Sequence, residues 1–63
     1  MRKYYDRVTI VFIHDEGVYG TVESMGAYAS VVKYTKDGKD YQDLIENDDF
    51  AIIEEIIFEH TEE

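Results

Sequence analysis

The chain has 63 residues, no cysteine, no proline and a formal net charge of −9. A domain this short buries only about 60% of the surface its unfolded chain exposes, and without cysteine no disulfide supplements the core. Hydrophobic content of 44% with 14% aromatics excludes a disordered chain. No run of about 18 apolar residues is present to form a membrane-spanning helix.

Charge is distributed unevenly. Residues 1–39 hold all six Lys and Arg against five acids, a net of +1, whereas residues 40–63 hold ten acids and no Lys or Arg. Such a C-terminal third repels nucleic acid and anionic membrane surfaces and attracts a basic partner.

Met1-Arg2-Lys3-Tyr4-Tyr5-Asp6 lacks the apolar stretch of a secretory leader, and the absence of cysteine fits the cytoplasm. Residues 1–4 are expected to be mobile. Arg7-Val8-Thr9-Ile10-Val11-Phe12-Ile13-His14 is the strongest predicted strand. Five of its eight residues are β-branched, and apolar side chains fall on both faces, the mark of a central or covered strand. His14-Asp15-Glu16-Gly17 supplies a turn. Val18-Tyr19-Gly20-Thr21-Val22-Glu23 alternates with period two, as a half-buried strand does. Gly20 inside it signals a bend or a close backbone approach, and Ser24-Met25-Gly26 is the next turn.

Ala29–Thr35 and Lys39–Ile45 flank Asp37-Gly38, a strong hairpin signal because a type I′ turn needs positive φ at both central residues. A two-residue turn sets Tyr34 opposite Tyr41, a favourable cross-strand aromatic pair. It also sets Val32 opposite Asp43, a mismatch if both face inward, which a bulge or a longer turn would remove.

The Tyr19-Gly20-Thr21-Val22 pattern, the glycine-containing turn, the following strand and then Asp37-Gly38 with a third strand resemble small SH3-like barrels. Many short uncharacterised proteins of phages and mobile elements of Gram-positive bacteria look similar. The resemblance spans roughly Arg7 to Ile57. It implies an all-β, five-stranded, partly open antiparallel barrel that acts as an adaptor or binding module, and it carries over no catalytic residue.

Glu46-Asn47-Asp48-Asp49 breaks the pattern. The following stretch, Phe50 to His60, reads two ways. As a helix over residues 49–60, Asp48 would cap it and Ile52, Ile53, Ile56, Ile57 and His60 would share a face, giving an α+β fold. As a strand, its four isoleucines and two phenylalanines favour extension, and it would pair with Arg7–His14. The strand is preferred, since two hairpins in so short a chain need a further partner. Residues 60–63 are expected to be a mobile tail, and the whole chain is expected to be one domain.

Catalytic patterns are scarce. Ser24 and Ser30 lack a nucleophile-elbow setting, and His14 and His60 sit beside carboxylates without a nucleophile. Asp43, Glu46, Asp48 and Asp49 are hard oxygen ligands, but their spacing departs from a calcium loop. No glycine-rich phosphate loop is present, and no motif implies a cofactor. Six tyrosines could stack on bases, yet the charge disfavours direct nucleic-acid binding, and most of them are expected in the core or in cross-strand pairs. Tyr28, beside a turn, is the tyrosine expected to be exposed. The chain therefore reads as a small acidic, non-enzymatic interaction module, with a protein partner or a second copy and no membrane. Tyr28, Asp48 and Asp49 are its candidate binding residues. The alternative is an acidic inhibitor that imitates nucleic acid and occupies the groove of a DNA-binding protein or enzyme.

Overall fold

A computed structural model describes residues 1–62. They form five strands, β1 (Arg2–Ile13), β2 (Val18–Ser24), β3 (Ala29–Lys36), β4 (Lys39–Glu46) and β5 (Phe50–Glu62). A short 3-10 turn, Asn47–Asp49, precedes β5. All neighbouring strands are antiparallel, in one sheet of order β4-β3-β2-β1-β5. Among the described residues no helix is long and apolar enough to cross a membrane.

The hairpin register anticipated from Asp37-Gly38 is the one observed. Asp37 and Gly38 have φ of 53° and 76°, and Tyr34 faces Tyr41 while Val32 faces Asp43. Neither a bulge nor a longer turn relieves the Val32–Asp43 mismatch. Val32 is fully buried, and the exposed Asp43 carboxylate reaches along its strand to accept a hydrogen bond from the Tyr34 hydroxyl.

The helix alternative for residues 49–60 is corrected by the structure. Phe50–Glu62 is strand throughout, paired with β1 from Ile13↔Phe50 to Arg2↔Glu62. β-Branched side chains suit the pleated surface better than a helix, and β1 supplies hydrogen-bond partners along the whole length. Asp48 caps no α-helix; it lies within the 3-10 turn. The ends, expected to be mobile at 1–4 and 60–63, pair as Arg2↔Glu62, Lys3↔Thr61 and Tyr4↔His60. Glu63 lies outside the described residues.

The sheet is curled. Val32 and Tyr34 of β3 and Phe50 of β5 belong to strands separated by β2 and β1, yet they share one cluster with Val11 and Ile13 of β1. Val18, Val22 and Ile45 pack against its margin. Two irregularities assist the curvature, one between Val22 and Ser24 opposite β3 and one where β5 meets Ile10 and Val11. Gly20 is the third device. A β-carbon there would lie 2.8 Å from the Lys33 carbonyl oxygen and 2.8 Å from Val32 Cγ1, so a side chain would push β3 off β2.

Only part of the molecule shares in this core. β2 pairs with β1 over Thr9–Ile13, so Arg2–Val8 and Ile56–Glu62 project as a two-stranded ribbon. The chain measures 44 × 29 × 17 Å, with a radius of gyration of 13.6 Å. A compact domain of this length has a radius of about 11 Å.

Gly20→Ala is expected to lower stability by about 1–3 kcal/mol, the usual range for overpacking, read from the midpoint of a thermal or urea melt. A variant that melts with the native chain would mean that β2 and β3 are further apart at this rung than described.

Candidate functional site

The residues with chemical character gather around the β3–β4 hairpin. Alternation along β3 points Ser30, Val32 and Tyr34 inward, all buried, and Tyr41 and Asp43 of β4 share their face through direct pairing. Tyr34 stacks on Tyr41 with ring centroids 5.3 Å apart and planes 19° from parallel. The Tyr34 hydroxyl donates to Asp43 Oδ2 at 2.6 Å. That hydrogen bond, with the burial of the phenol and the adjacent negative charge, pushes the Tyr34 hydroxyl up from 10.0 to about 12.

Two clefts flank this pair. One, of about 540 Å³, is lined by Tyr19, Gly20, Thr21, Tyr34, Tyr41 and Gln42. Tyr19 is braced there by an edge contact with Phe12, centroids 5.1 Å apart. This cleft offers aromatic faces with polar rims. The other, of about 520 Å³, runs between the β1–β2 turn and β4, and Asp15, Glu16, Asp43, Glu46 and Asp49 all line it. Lys36 Nζ donates to Glu16 Oε2 at 2.6 Å, and this contact raises the Lys36 ammonium above its ordinary value. Five carboxylate side chains thus line one cleft. Among the described residues no group of three or more metal-ligating side chains is gathered.

The three residues singled out from the sequence are brought near one another by backbone contacts. Tyr28 sits in the β2–β3 loop with 88% of its surface exposed. Its carbonyl accepts a hydrogen bond from Asn47 N at 2.8 Å, which ties the loop to the Asn47–Asp49 turn. Asn47 reinforces the tie: its Nδ2 donates to the Gly26 carbonyl at 2.9 Å, and its Oδ1 accepts from Ser30 Oγ at 2.7 Å. Asp49 lines the acidic cleft, and its carbonyl accepts from His14 N at 2.9 Å, while Asp48 points outward. As expected, most of the tyrosines stand in cross-strand pairs, Tyr34 with Tyr41, Tyr19 with Phe12 and Tyr4 with His60, and Tyr28 is exposed. Tyr34 is buried, whereas Tyr4, Tyr5, Tyr19, Tyr28 and Tyr41 are exposed. Tyr4 stacks on His60, its direct partner on β5, with centroids 4.8 Å apart.

Sequence reasoning did not single out β5 as a surface. Ile52, Ile53, Ile57 and Phe58 are exposed along it. Their signal was present as apolar residues on both faces of one strand, but that pattern reads equally as burial. No family model matches this chain, and no curated protein or solved structure matches it.

The raised Tyr34 hydroxyl has a definite sign. Folding favours the neutral phenol, so its contribution is fully present below pH 10 and is lost as pH rises towards about 12. The Lys36–Glu16 contact acts in the same direction, fading above the ordinary lysine value of 10.5. Urea melts between pH 8 and 12 are expected to show falling stability above pH 10, and Tyr34→Phe should flatten that decline. A decline of equal depth in Tyr34→Phe would show that the hydroxyl does not carry it.

Proposed function

We propose that this chain is a small, non-enzymatic protein-interaction module, built as an SH3-like, partly open barrel and working in the cytoplasm. Support for the barrel reading comes from the five-stranded order, the adjacency of first and last strands, and the curl that brings β3 and β5 into one cluster. The observation that carries the functional reading is the distribution of large apolar side chains. Among the described residues five are buried, while twelve are exposed, and four of the twelve, Tyr4, Tyr5, Ile57 and Phe58, lie on the β1–β5 ribbon. Tyr4 and Phe58 are diagonal neighbours on one face and Tyr5 and Ile57 on the other, and grouped exposed apolar side chains mark interaction sites.

The arrangement of the histidines also favours binding over catalysis. His14 follows β1 at one end and His60 pairs with Tyr4 near the other. Ten residues of extended chain separate these positions, about 33 Å at 3.3 Å per residue. The two cannot share a site within one copy. The alternative of nucleic-acid imitation has less support, because β4 and β5 lie at opposite edges of the sheet and divide the acidic third between them.

Affinity capture from the cell of origin at low and moderate salt, with sedimentation of the purified protein, tests the reading. A partner or a self-association that persists at moderate salt is expected, since apolar contact is weakly screened. A strict monomer that retains nothing at either salt would sink it, and a partner released by modest salt alone would favour the imitation of nucleic acid.

A further inference from the structure

We propose that the free edge of β5 is a docking edge for an extended peptide strand of a partner protein, apolar in its middle and basic to either side. The proposal rests on the reading of the chain as an interaction module and names the surface and the partner's chemistry.

β5 is a 13-residue strand at the end of the sheet, hydrogen-bonded to β1 on one side only. Such an edge presents a row of unpaired N–H and C=O groups, and natural proteins guard edges with short length, lysine, proline or inward charge. The opposite edge is guarded in this way. β4 has eight residues, four of them charged, beginning with Lys39. β5 contains neither Lys nor Pro, and it carries Ile52, Ile53, Ile56, Ile57 and Phe58. Its one irregularity falls at Ile53, so Glu54–Glu62 continues in unbroken register with β1. Side chains alternate across the ribbon, with Ile56 and Phe58 on one face and Ile57 on the other. Ile57 is 60% exposed and Phe58 47%. A strand added beside β5 meets apolar neighbours above and below the sheet.

Charge identifies the occupant. β5 carries Glu54, Glu55, Glu59 and Glu62 and no base except His60. Lys3 reaches Glu59 at 3.3 Å and His60 engages Asp6 at 2.8 Å, while Glu54, Glu55 and Glu62 have no ion pair among the described residues. A second copy would bring its own glutamates to this edge, on a chain whose net charge is already −9. Like charges on neighbouring strands are destabilising, and opposite charges are favourable. Read antiparallel to Glu54–Glu59, the complementary segment is one basic residue, three apolar residues and then two basic residues.

A synthetic peptide with the core Lys-Ile-Val-Ile-Lys-Lys is the probe, titrated into the full chain by calorimetry and followed by amide exchange. Expected are one-to-one binding that weakens with salt yet persists at moderate salt, through its apolar centre and backbone hydrogen bonds, and slowed exchange of the outward-pointing amides of β5, with β4 unchanged. A peptide with proline at the central position should not bind, because strand addition needs its N–H, nor should one with glutamate for lysine. The double variant Glu54→Lys, Glu55→Lys, at exposed positions, should bind about tenfold more weakly while melting like the native chain. Equal affinity for the proline peptide, protection placed on β4 or the clefts, or indifference to the double variant would each overturn the proposal. So would a peptide-free dimer with β5 already protected. If capture finds a salt-resistant partner and the peptide still leaves β5 unprotected, the module reading stands and the edge assignment falls.

Discussion

The pairing of β1 on both of its sides is the constraint on which the remaining structure depends. Thr9–Ile13 is bonded to β2 along one edge and to β5 along the other, and Val11 and Ile13 point from it into the centre of the core. The first contact is a local hairpin. The second brings residue 13 to residue 50 and residue 2 to residue 62. Closing so long a loop costs entropy that grows only slowly with length, and it is offset where β5 adds Phe50 to the buried cluster. That cluster exists only because the sheet curls, and the curl requires β2 to lie flush on β3 at Gly20.

From this follows a molecule of two characters. Around Thr9–Ile13 the chain is layered and buried, with Ser30 and Asn47 tying the β2–β3 loop to the turn before β5. Beyond Val8 only one ribbon continues. A two-stranded ribbon is marginal in water by itself, and here it is held by continuity with the core, by Tyr4 stacked on His60, and by Lys3 beside Glu59. These contacts are exposed and individually weak. Apolar surface that a larger domain would cover therefore stays on display, beside the glutamates of β5.

Within the core half, electrostatics plays two roles. Lys33 with Glu23 and Lys36 with Glu16 are pairs between half-exposed side chains, and they orient neighbouring elements more than they hold the fold. The Tyr34–Asp43 hydrogen bond is of another kind. It lets a carboxylate sit opposite buried Val32 without a shift of register, because the charge has a donor within reach and the residue is exposed.

By itself, the amino-acid sequence determined the local chemistry. Asp37-Gly38 dictated a two-residue turn through its positive φ, and from that turn the Tyr34–Tyr41 and Val32–Asp43 pairings follow by counting. The β-branched run at Val8–Ile13 marked a strand, and Gly20 marked a close approach. Turns and alternation are short-range properties, and they can be read residue by residue. The sequence left open whether Phe50–His60 is helix or strand, because isoleucine-rich runs satisfy both patterns, and it hid which apolar residues are covered. Only the tertiary structure decided these. Whether Ile57 is core or surface depends on how far β2 extends beside β1, and that pairing stops at Thr9. An apolar strand is buried by the layer packed on its face, not by its own side chains, and among the described residues the end of β5 has only β1 beside it.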